Sequence, residues 1–298
     1  MNTAQALIAH LDQHTLADND NIRLTLASAL VGYPVLLEGL PGVGKTGLAL
    51  GVAQALALDL KRLQCTPDIQ PADITGYLRP DAGGREFVFV PGPVFTPCLL
   101  VDEINRANPR SQSALLEAMA EGTVTVEGQT HTLPSERVIL ATQNPQDQVG
   151  TQALPESQLD RFGVVLELGY PSSEKEQAVM TRSLNTPPAP PAVSLMQARS
   201  EALSSEIKPA ALNYLTRLVE ATRTDDRFHH GLSTRGALVL ADMSRGLAHI
   251  EGRGYVTPED IQGAFFAVAR HRLVQNNQTP GRLTPDSVLQ SLLDRVPL

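Results

Sequence analysis

The residues best suited to chemistry follow the spacing G-x-x-x-x-G-K-[ST], with Gly39, Gly44, Lys45 and Thr46 at its fixed positions. An apolar run precedes them and a helix-forming run follows. In a strand, glycine-rich turn and helix of this kind, successive backbone N–H groups converge on phosphate oxygens at the positive end of the helix. The spacing therefore predicts a phosphate-binding loop; the alternative is an ordinary glycine-rich turn between a strand and a helix.

The residues of this loop have separate expected roles. Lys45 would reach the β- and γ-phosphates, and the Thr46 hydroxyl would bind Mg²⁺. Gly39, Gly42 and Gly44 would let the backbone approach the phosphates where a Cβ atom would collide. The expected nucleotide-contacting residues are Gly39, Pro41, Gly42, Val43, Gly44, Lys45, Thr46 and Gly47.

Two acidic residues, Asp102 and Glu103, follow the apolar run 99–101. Open α/β sheets bind ligands at the carboxyl ends of their strands, so these carboxylates should emerge beside the loop. Asp102 suits Mg²⁺, directly or through water, and Glu103 suits polarising the water that attacks a phosphate. The alternative is a strand that simply ends in polar residues.

A third β-rich run, 138–143, ends at Asn144. An amide at that edge of the sheet can hold the attacking water or touch the γ-phosphate, and Thr142 could share the role. A plain Asn-Pro turn is the alternative interpretation.

Two arginines are further candidates. Arg161 is expected near the end of a helix before the fifth strand, on the outside of one subunit, where it could reach a neighbour's γ-phosphate. The alternative is a surface ion pair with Asp160 or Glu156. Arg235 is expected in the first turn of a later helix that could swing over the nucleotide. A solvated helix arginine is the alternative there.

The pattern around these residues indicates an α/β scaffold. β-rich runs alternate with helical stretches, and several are apolar throughout, which predicts a parallel sheet covered on both faces. Helical spacing predicts two leading helices, over 3–15 and 22–30, the second capped by Asp18 or Asn19, and a later helix over 110–121. The predicted strands are 34–38, 61–65, 98–102, 137–142 and 164–168.

Near residue 171 the pattern changes to helical spacing only. A proline-rich stretch, 186–191, interrupts it and should be a stiff exposed loop. The predicted divisions are an α/β core over 1–171, with an insertion at 71–95, which opens with a helix-like segment, and a β-hairpin at 122–133, and a helical domain over 172–298.

Composition narrows the classes of function. The chain has 298 residues, a net charge of −8 and 4% aromatic residues without tryptophan, which disfavours a surface for nucleic acids. With neither a long apolar stretch nor a basic leader at its start, we expect a cytoplasmic protein without membrane insertion. Cys65 and Cys98 should be buried free thiols, and His229 and His230 should lie in solvent.

The order of these motifs resembles the AAA+ ATPases. More narrowly, several segments look like the MoxR family, and the resemblance extends from about residue 20 to 275. It is most specific in the core and looser in the C-terminal part. The segments that carry it are 64–76, 91–95, 102–107, 112–119 and 141–145.

The resemblance implies an AAA+ P-loop αβα core with a five-stranded parallel sheet and a C-terminal α-helical lid. It also implies a helical insert after the second strand, at 71–95, and a hairpin before the sensor strand, at 122–133. It implies an ATPase that uses ATP and Mg²⁺ and works as a homo-oligomer, expected to be a hexamer. Members act as chaperone-like remodelling factors on protein clients, often with a von Willebrand factor A-domain protein. The implied roles are phosphate and metal binding by Lys45, Thr46 and Asp102, catalysis by Glu103, first sensor Asn144, trans-acting finger Arg161 and second sensor Arg235.

The chain departs from the family pattern at two places. Members often have a less standard loop where Val43 and Gly44 stand, and commonly a proline where Thr234 stands. The second departure leaves the start of the Arg235 helix open.

Other functions of this branch remain as alternatives. A nucleic-acid translocase would place Lys or Arg on the projecting hairpins, whereas 122–133 contains only His131 as a potential cation. The motor subunit of a chelatase-like metal-insertion complex would carry insertions that are missing here. A small-molecule kinase would need neither the Asp102 and Glu103 pair nor Arg161.

Overall fold

The computed structural model describes residues 3–145, 151–181, 193–275 and 284–297. The proline-rich stretch 186–191 lies outside them. Helices of the first part of the chain are α1 (Thr3–His14), α2 (Asn19–Val31), α3 (Lys45–Ala55), α4 (Pro71–Thr75), α5 (Pro109–Glu121) and α6 (Glu156–Leu159). Its strands are β1 (Val35–Glu38), β2 (Leu60–Gln64), β3 (Gly76–Pro80), β4 (Phe87–Pro91), β5 (Cys98–Asp102), β6 (Thr123–Val126), β7 (Gln129–Thr132), β8 (Val138–Gln143) and β9 (Val164–Glu167).

The core is a five-stranded parallel sheet in the order β2-β5-β8-β1-β9, which confirms the predicted fold class. The predicted strand bounds are correct to within one residue at each end. Because the strands are parallel, their carboxyl ends meet at one edge. Glu38, Gln64, Asp102 and Gln143 end four of the strands there.

The sheet is covered on both faces, and the side chains of its strands alternate between two apolar clusters. Val35 and Leu37 of β1 join one cluster, whereas Leu36 joins the other. All of β5 is buried. This burial explains why the central strands are continuous apolar runs, as parallel strands between helices usually are.

Local signals set the ends of the helices. Asp18 caps α2, as predicted, since its carboxylate accepts a hydrogen bond from the Asn21 backbone N–H at 2.8 Å. Gly32, with φ of 88°, ends the same helix. Asn108 caps α5 by accepting from the Ser111 N–H at 3.0 Å.

The segment 71–95 differs from its prediction. We expected a helical insert, but only the five residues of α4 are helical, and an antiparallel hairpin of β3 and β4 follows. Gly76 has φ of 95°, and a Cβ atom there would lie 2.3 Å from the Val90 carbonyl oxygen. The sharp turn into β3 and its close pairing with β4 are therefore possible only because residue 76 is glycine.

A second hairpin, of β6 and β7, occupies the segment 122–133. Its turn residues Glu127 and Gly128 have φ of 46° and 80°, as two-residue hairpins require. The ring of His131 stacks on Phe89 of the first hairpin with centroids 3.8 Å apart. The two hairpins therefore pack against each other.

The second part of the chain is mainly helical, as expected for a lid. Its elements are α7 (Ser173–Met180), α8 (Leu195–Leu203), α9 (Pro209–Arg223), β10 (Phe228–His230), α10 (Thr234–Ile250), α11 (Pro258–Ala269), β11 (Val274–Gln275) and α12 (Pro285–Arg295). His229 and His230 are exposed, as predicted, although they lie in the short strand β10. None of the helices in the described ranges is long and apolar enough to cross a lipid bilayer.

Both cysteines are buried free thiols, as predicted. Burial raises the pKa of the Cys98 thiol to about 12. The Cys65 thiol also has a pKa of about 12, because of burial and the nearby charges of Asp102 and Glu103. Both thiols therefore remain protonated near neutral pH and act as small apolar side chains.

The lid packs on the core through α10, which lies against α2. A Cβ atom on Gly246 of α10 would lie 3.0 Å from the carbonyl oxygen of Ala27 and 3.2 Å from Val31. A side chain at this position would therefore be crowded and would push the two helices apart by a few tenths of an ångström. Gly263, on α11, has its nearest neighbour at 3.5 Å and is exposed.

This difference predicts opposite effects of the same substitution. Gly246→Ala should lower the free energy of unfolding by about 1–3 kcal/mol because the new methyl group pushes α10 away from α2. Gly263→Ala should raise it by about 0.5–1 kcal/mol, since alanine favours a helix interior and has room there. Urea unfolding of both variants measures the difference. Equal effects would show that α2 and α10 are not held at this distance.

Candidate functional site

The phosphate loop joins β1 to α3. Gly39, Gly42 and Gly44 have φ of 149°, 86° and 96°, a backbone region that favours glycine. A Cβ atom on Gly39 would also lie 2.5 Å from the Leu168 carbonyl oxygen, and one on Gly44 would lie 2.8 Å from Leu16. Backbone conformation therefore favours glycine at all three positions, and packing also excludes a side chain at Gly39 and Gly44. The first turn of α3 begins at once, with its N–H groups toward the loop.

Lys45 lies over the loop that precedes it. Its ammonium group donates hydrogen bonds to the carbonyl oxygens of Gly39 at 2.5 Å and Leu40 at 2.8 Å. Burial lowers the pKa of Lys45, and the charges of Glu103 and Asp102 act in the opposite direction. The ammonium group is therefore held where it can exchange these carbonyl oxygens for phosphate oxygens.

A cleft of about 500 Å³ opens beside the loop. Of the predicted residues, it is lined by Pro41, Gly42, Gly44, Lys45, Thr46, Gly47, Asp102 and Glu103. Gly39 does not line the cleft and lies against the Leu168 carbonyl oxygen and Val43. Val43 is 3% exposed and packs in the core, so that only its backbone can contribute to phosphate binding.

Asp102 lies at the centre of this cleft. Its side chain is 5% exposed and accepts hydrogen bonds from the hydroxyl of Thr142 at 2.9 Å and from the Nε group of Arg62 at 2.6 Å. The Thr46 hydroxyl lies 3.4 Å from the same carboxylate. The two predicted metal ligands, Asp102 and Thr46, are therefore side by side.

These oxygen atoms fit Mg²⁺, which prefers one or two carboxylate or hydroxyl ligands together with water and substrate phosphates. No cluster of three His, Cys, Asp or Glu that could hold a metal occurs among the described residues. Asp102 and Thr46 would hold Mg²⁺ against the phosphates, where its charge would offset theirs.

Glu103 is held beside Asp102 in an unusual backbone conformation. Its φ of 55° and ψ of 52° are left-handed, which costs about 1–2 kcal/mol for a residue with a side chain. Its backbone N–H donates to the Thr142 hydroxyl at 3.0 Å, and its carboxylate accepts from Gln64 at 3.0 Å. Arg106 forms an ion pair with it at 3.2 Å. The carboxylate is thereby fixed at the cleft.

Three residues with predicted catalytic roles, Asn144, Arg161 and Arg235, do not line the cleft. Asn144 follows β8 at the same edge of the sheet, where its carbonyl oxygen accepts from Asn105 at 3.2 Å. Arg161 follows α6 and is half-buried. Arg235 is exposed in the first turn of α10, which begins at Thr234 after the cap Ser233.

The alternative interpretation of Arg161 as part of a surface ion pair is wrong for the part of the chain that the structure describes. Asp160 pairs with Arg272 instead, at 2.8 Å, and no ion pair joins Arg161 to Glu156. The guanidinium of Arg161 has no carboxylate partner among the described residues.

Sequence reasoning missed Arg62 and Gln64, which β2 places opposite the two acids. Gln64 is the register partner of Asp102 in the neighbouring strand. Their spacing puts both polar side chains on one face of β2, with Leu63 on the other. That alternation is visible in the sequence, but the pairing of β2 with β5 is not.

Two protein-family models match the chain. The ATPase family associated with various cellular activities matches residues 34–164, and the AAA lid domain matches residues 220–292. Together with the five-stranded sheet and the phosphate loop, they define an AAA+ ATPase, an enzyme that binds a nucleotide and hydrolyses ATP.

Relatives of known sequence narrow the class. Chaperone MoxR1 of Mycobacterium tuberculosis is 34% identical over 312 residues, which cover 100% of this chain and 83% of MoxR1. Protein YeaC of Bacillus subtilis, described as uncharacterized, is 37% identical over 273 residues, or 90% of this chain and 85% of YeaC. The chain therefore belongs to the MoxR family of AAA+ ATPases.

A crystal structure of a protein from Cytophaga hutchinsonii that is assigned as an ATPase is similar over the whole fold. The TM-score is 0.89 with 32% identity, over 99% of this chain and 94% of that one. The arrangement of core and lid described above is therefore also found in a solved structure.

Thr142 is expected to organise both acids. Thr142→Val removes the hydroxyl that joins the Asp102 carboxylate to the Glu103 N–H, so the free energy of unfolding should fall by about 1–3 kcal/mol. ATP hydrolysis should fall by about tenfold or more, because Glu103 loses its position. Urea unfolding and a phosphate-release assay measure the two effects. Thr142→Ser keeps the hydroxyl and should keep the rate of hydrolysis, with a loss of about 0.5–1.5 kcal/mol in stability for its buried methyl group. A fully active valine variant would contradict this role.

Arg62 provides the positive charge opposite Asp102 and should therefore compete with Mg²⁺. Arg62→Gln should lower the midpoint of thermal unfolding without ligands. It should also lower, by about tenfold, the Mg²⁺ concentration needed for half-maximal binding of a fluorescent ADP analogue. A tenfold change corresponds to the loss of about one charged hydrogen bond. Lys61→Gln removes a charge from the opposite face of β2 and should change neither quantity. An unchanged Mg²⁺ dependence would rule out the competition.

Proposed function

We propose that the chain is one subunit of a homo-oligomeric ring, a hexamer, in which ATP is hydrolysed between neighbouring subunits. One observation supports this most directly. Lys45, Thr46, Asp102 and Glu103 meet at one cleft, whereas Arg161 lies outside the cleft of its own subunit and has no carboxylate partner among the described residues. A guanidinium that lies outside its own cleft and has no such partner can contact the phosphates of a nucleotide bound by another subunit.

Each residue of the site has a role in this proposal. Lys45 binds the β- and γ-phosphates of ATP, and Thr46 with Asp102 holds Mg²⁺. Glu103 orients the attacking water and accepts its proton. Asn144 senses the γ-phosphate, and Arg235 reports the nucleotide to the lid. Arg161 of the adjacent subunit offsets the charge that develops on the transferred phosphoryl group.

The proposed work of the ring is chaperone-like remodelling of a protein client. It rests on membership of the family and on similarity to MoxR1, which carries the name chaperone. A von Willebrand factor A-domain protein as partner, and a cytoplasmic location, stay predictions from the sequence. The nucleic-acid alternative depends on the first hairpin alone, which carries exposed Arg79 and Arg85. The second hairpin offers only His131, which is stacked on Phe89.

Mixed assemblies test the shared site. A Glu103→Gln subunit cannot hydrolyse ATP in its own cleft but still supplies Arg161 to its neighbour. An Arg161→Ala subunit keeps Glu103 in its own cleft but supplies no arginine to its neighbour. Each variant alone should be almost inactive, because an arginine finger contributes on the order of 10³-fold or more to the rate. A 1:1 mixture should regain roughly a quarter of the wild-type rate, since random neighbours complete that share of the sites.

Arg110→Ala is the matched control, because Arg110 is another exposed arginine of the core. It should retain the wild-type rate and give no complementation with Glu103→Gln beyond its own activity. If the mixture of Glu103→Gln and Arg161→Ala is no faster than the sum of its parts, the shared-site proposal is wrong.

A further inference from the structure

Arg272, just after α11 in the lid, is an almost fully buried arginine whose donors reach one carboxylate and several backbone carbonyl oxygens. Its side chain is 3% exposed, and its Nε group donates to the Asp160 carboxylate at 2.8 Å. Its other nitrogens donate to the carbonyl oxygens of Phe162 at 2.6 Å, Gly163 at 3.0 Å and Val268 at 2.6 Å. A buried guanidinium needs such partners, since unpaired donors would be costly.

These contacts fall on both sides of Arg161. Phe162 is fully buried, and the Gly163 N–H donates to the Pro34 carbonyl oxygen at 2.8 Å. A Cβ atom on Gly163 would lie 2.3 Å from Tyr33, so this backbone is packed tightly against the start of β1. On the other side, α6 has only four residues and gives little support of its own. Arg272 therefore holds the chain on both sides of Arg161, in addition to the packing of residues 162 and 163 on the core.

Arg272 also lies beside the start of α10. A Cβ atom added to Gly236, the residue after Arg235, would lie 3.2 Å from the Cδ atom of Arg272. Burial lowers the pKa of Arg272; the Asp160 carboxylate opposes this effect, and the charge of Arg235 adds to it. Arg272 thus binds the segment that carries Arg161 and lies next to the turn that carries Arg235.

We infer that Arg272 is the positioning residue for Arg161, and that it makes the Arg161 segment follow the start of α10 when the lid moves. The inference deepens the proposed function and rests on the trans-acting role of Arg161. The physical reason is that Arg272 cannot release the carbonyl oxygens of Asp160, Phe162 and Gly163 without leaving buried donors unpaired. The nucleotide sensed by Arg235 in one site would thereby influence the arginine offered to the next site.

Placing one substitution in either of two subunits tests this inference with full-length chains. The donor subunit carries Glu103→Gln and contributes only its Arg161; the acceptor subunit carries Arg161→Ala and contributes only its hydrolytic site. Arg272→Lys in the donor should lower the restored ATPase rate by about tenfold or more, because a displaced guanidinium stabilises the transition state poorly. The same substitution in the acceptor should have a much smaller effect.

Arg199→Lys is the matched control. Arg199 is another lid arginine that donates to core carbonyl oxygens, those of Leu30 and Ala29 at 3.1 Å each, but it contacts none of residues 160–163. It should lower the rate equally in donor and acceptor. Thermal unfolding of every variant by circular dichroism separates loss of structure from loss of position.

Asp160→Asn is a second test variant if Arg272→Lys does not fold. Asp160 is 36% exposed, so its neutral form is tolerated while the ion pair is lost. Asp160→Asn in the donor should also lower the restored ATPase rate more than Asp160→Asn in the acceptor, but by less than Arg272→Lys does.

The outcomes separate the two proposals. Donor-specific loss supports the inference, whereas equal losses in donor and acceptor, or no loss, overturn it and leave the trans-acting role of Arg161 intact. If the unmodified donor and acceptor restore no activity at all, the proposed function fails and the inference fails with it.

Discussion

A buried negative charge is the constraint on which the site depends. The Asp102 carboxylate is 5% exposed, and an ionised group in such a place is stable only with several donors around it. Its donors come from separate elements: Thr142 from β8, Arg62 from β2 and Thr46 from the start of α3. The strands β2 and β8 and the start of α3 must therefore all be in place around the end of β5 before the charged carboxylate is stable at the cleft.

The same arrangement explains the strained backbone of Glu103. Its left-handed conformation turns the chain sharply at the end of β5, and the Thr142 hydroxyl compensates by accepting its N–H. Strain of this kind persists only where surrounding contacts determine it, and it is concentrated at functional sites. The catalytic proposal for Glu103 therefore agrees with how the structure holds it.

Arginine side chains fasten the lid to the core by donating to backbone carbonyl oxygens. Arg199 reaches Ala29 and Leu30 near the end of α2, and Arg272 reaches Phe162 and Gly163. The planar guanidinium suits several carbonyl oxygens at once. Because Arg199 and Arg272 attach the lid at two separate places, the end of α2 and the segment 162–163 should move together with the lid.

Features of the fold and the site were predictable from the sequence where the interacting residues are close together in the chain. The phosphate loop and the turn at Glu127 and Gly128 depend on residues a few positions apart, so local sequence was enough to predict them, as it was for the apolar strands of a parallel sheet. The same local signals left the cap of α2 open between Asp18 and Asn19, and the hydrogen bond in the structure selects Asp18. The helical insert expected at 71–95 was wrong beyond α4, because it came from the family resemblance, whereas residues 87–91 form a strand that pairs with β3. The positions of Arg62 and Gln64 beside the two acids, and of Arg272 beside Arg161, could be read only from the folded chain, because strand order and lid packing join residues that are far apart in the chain.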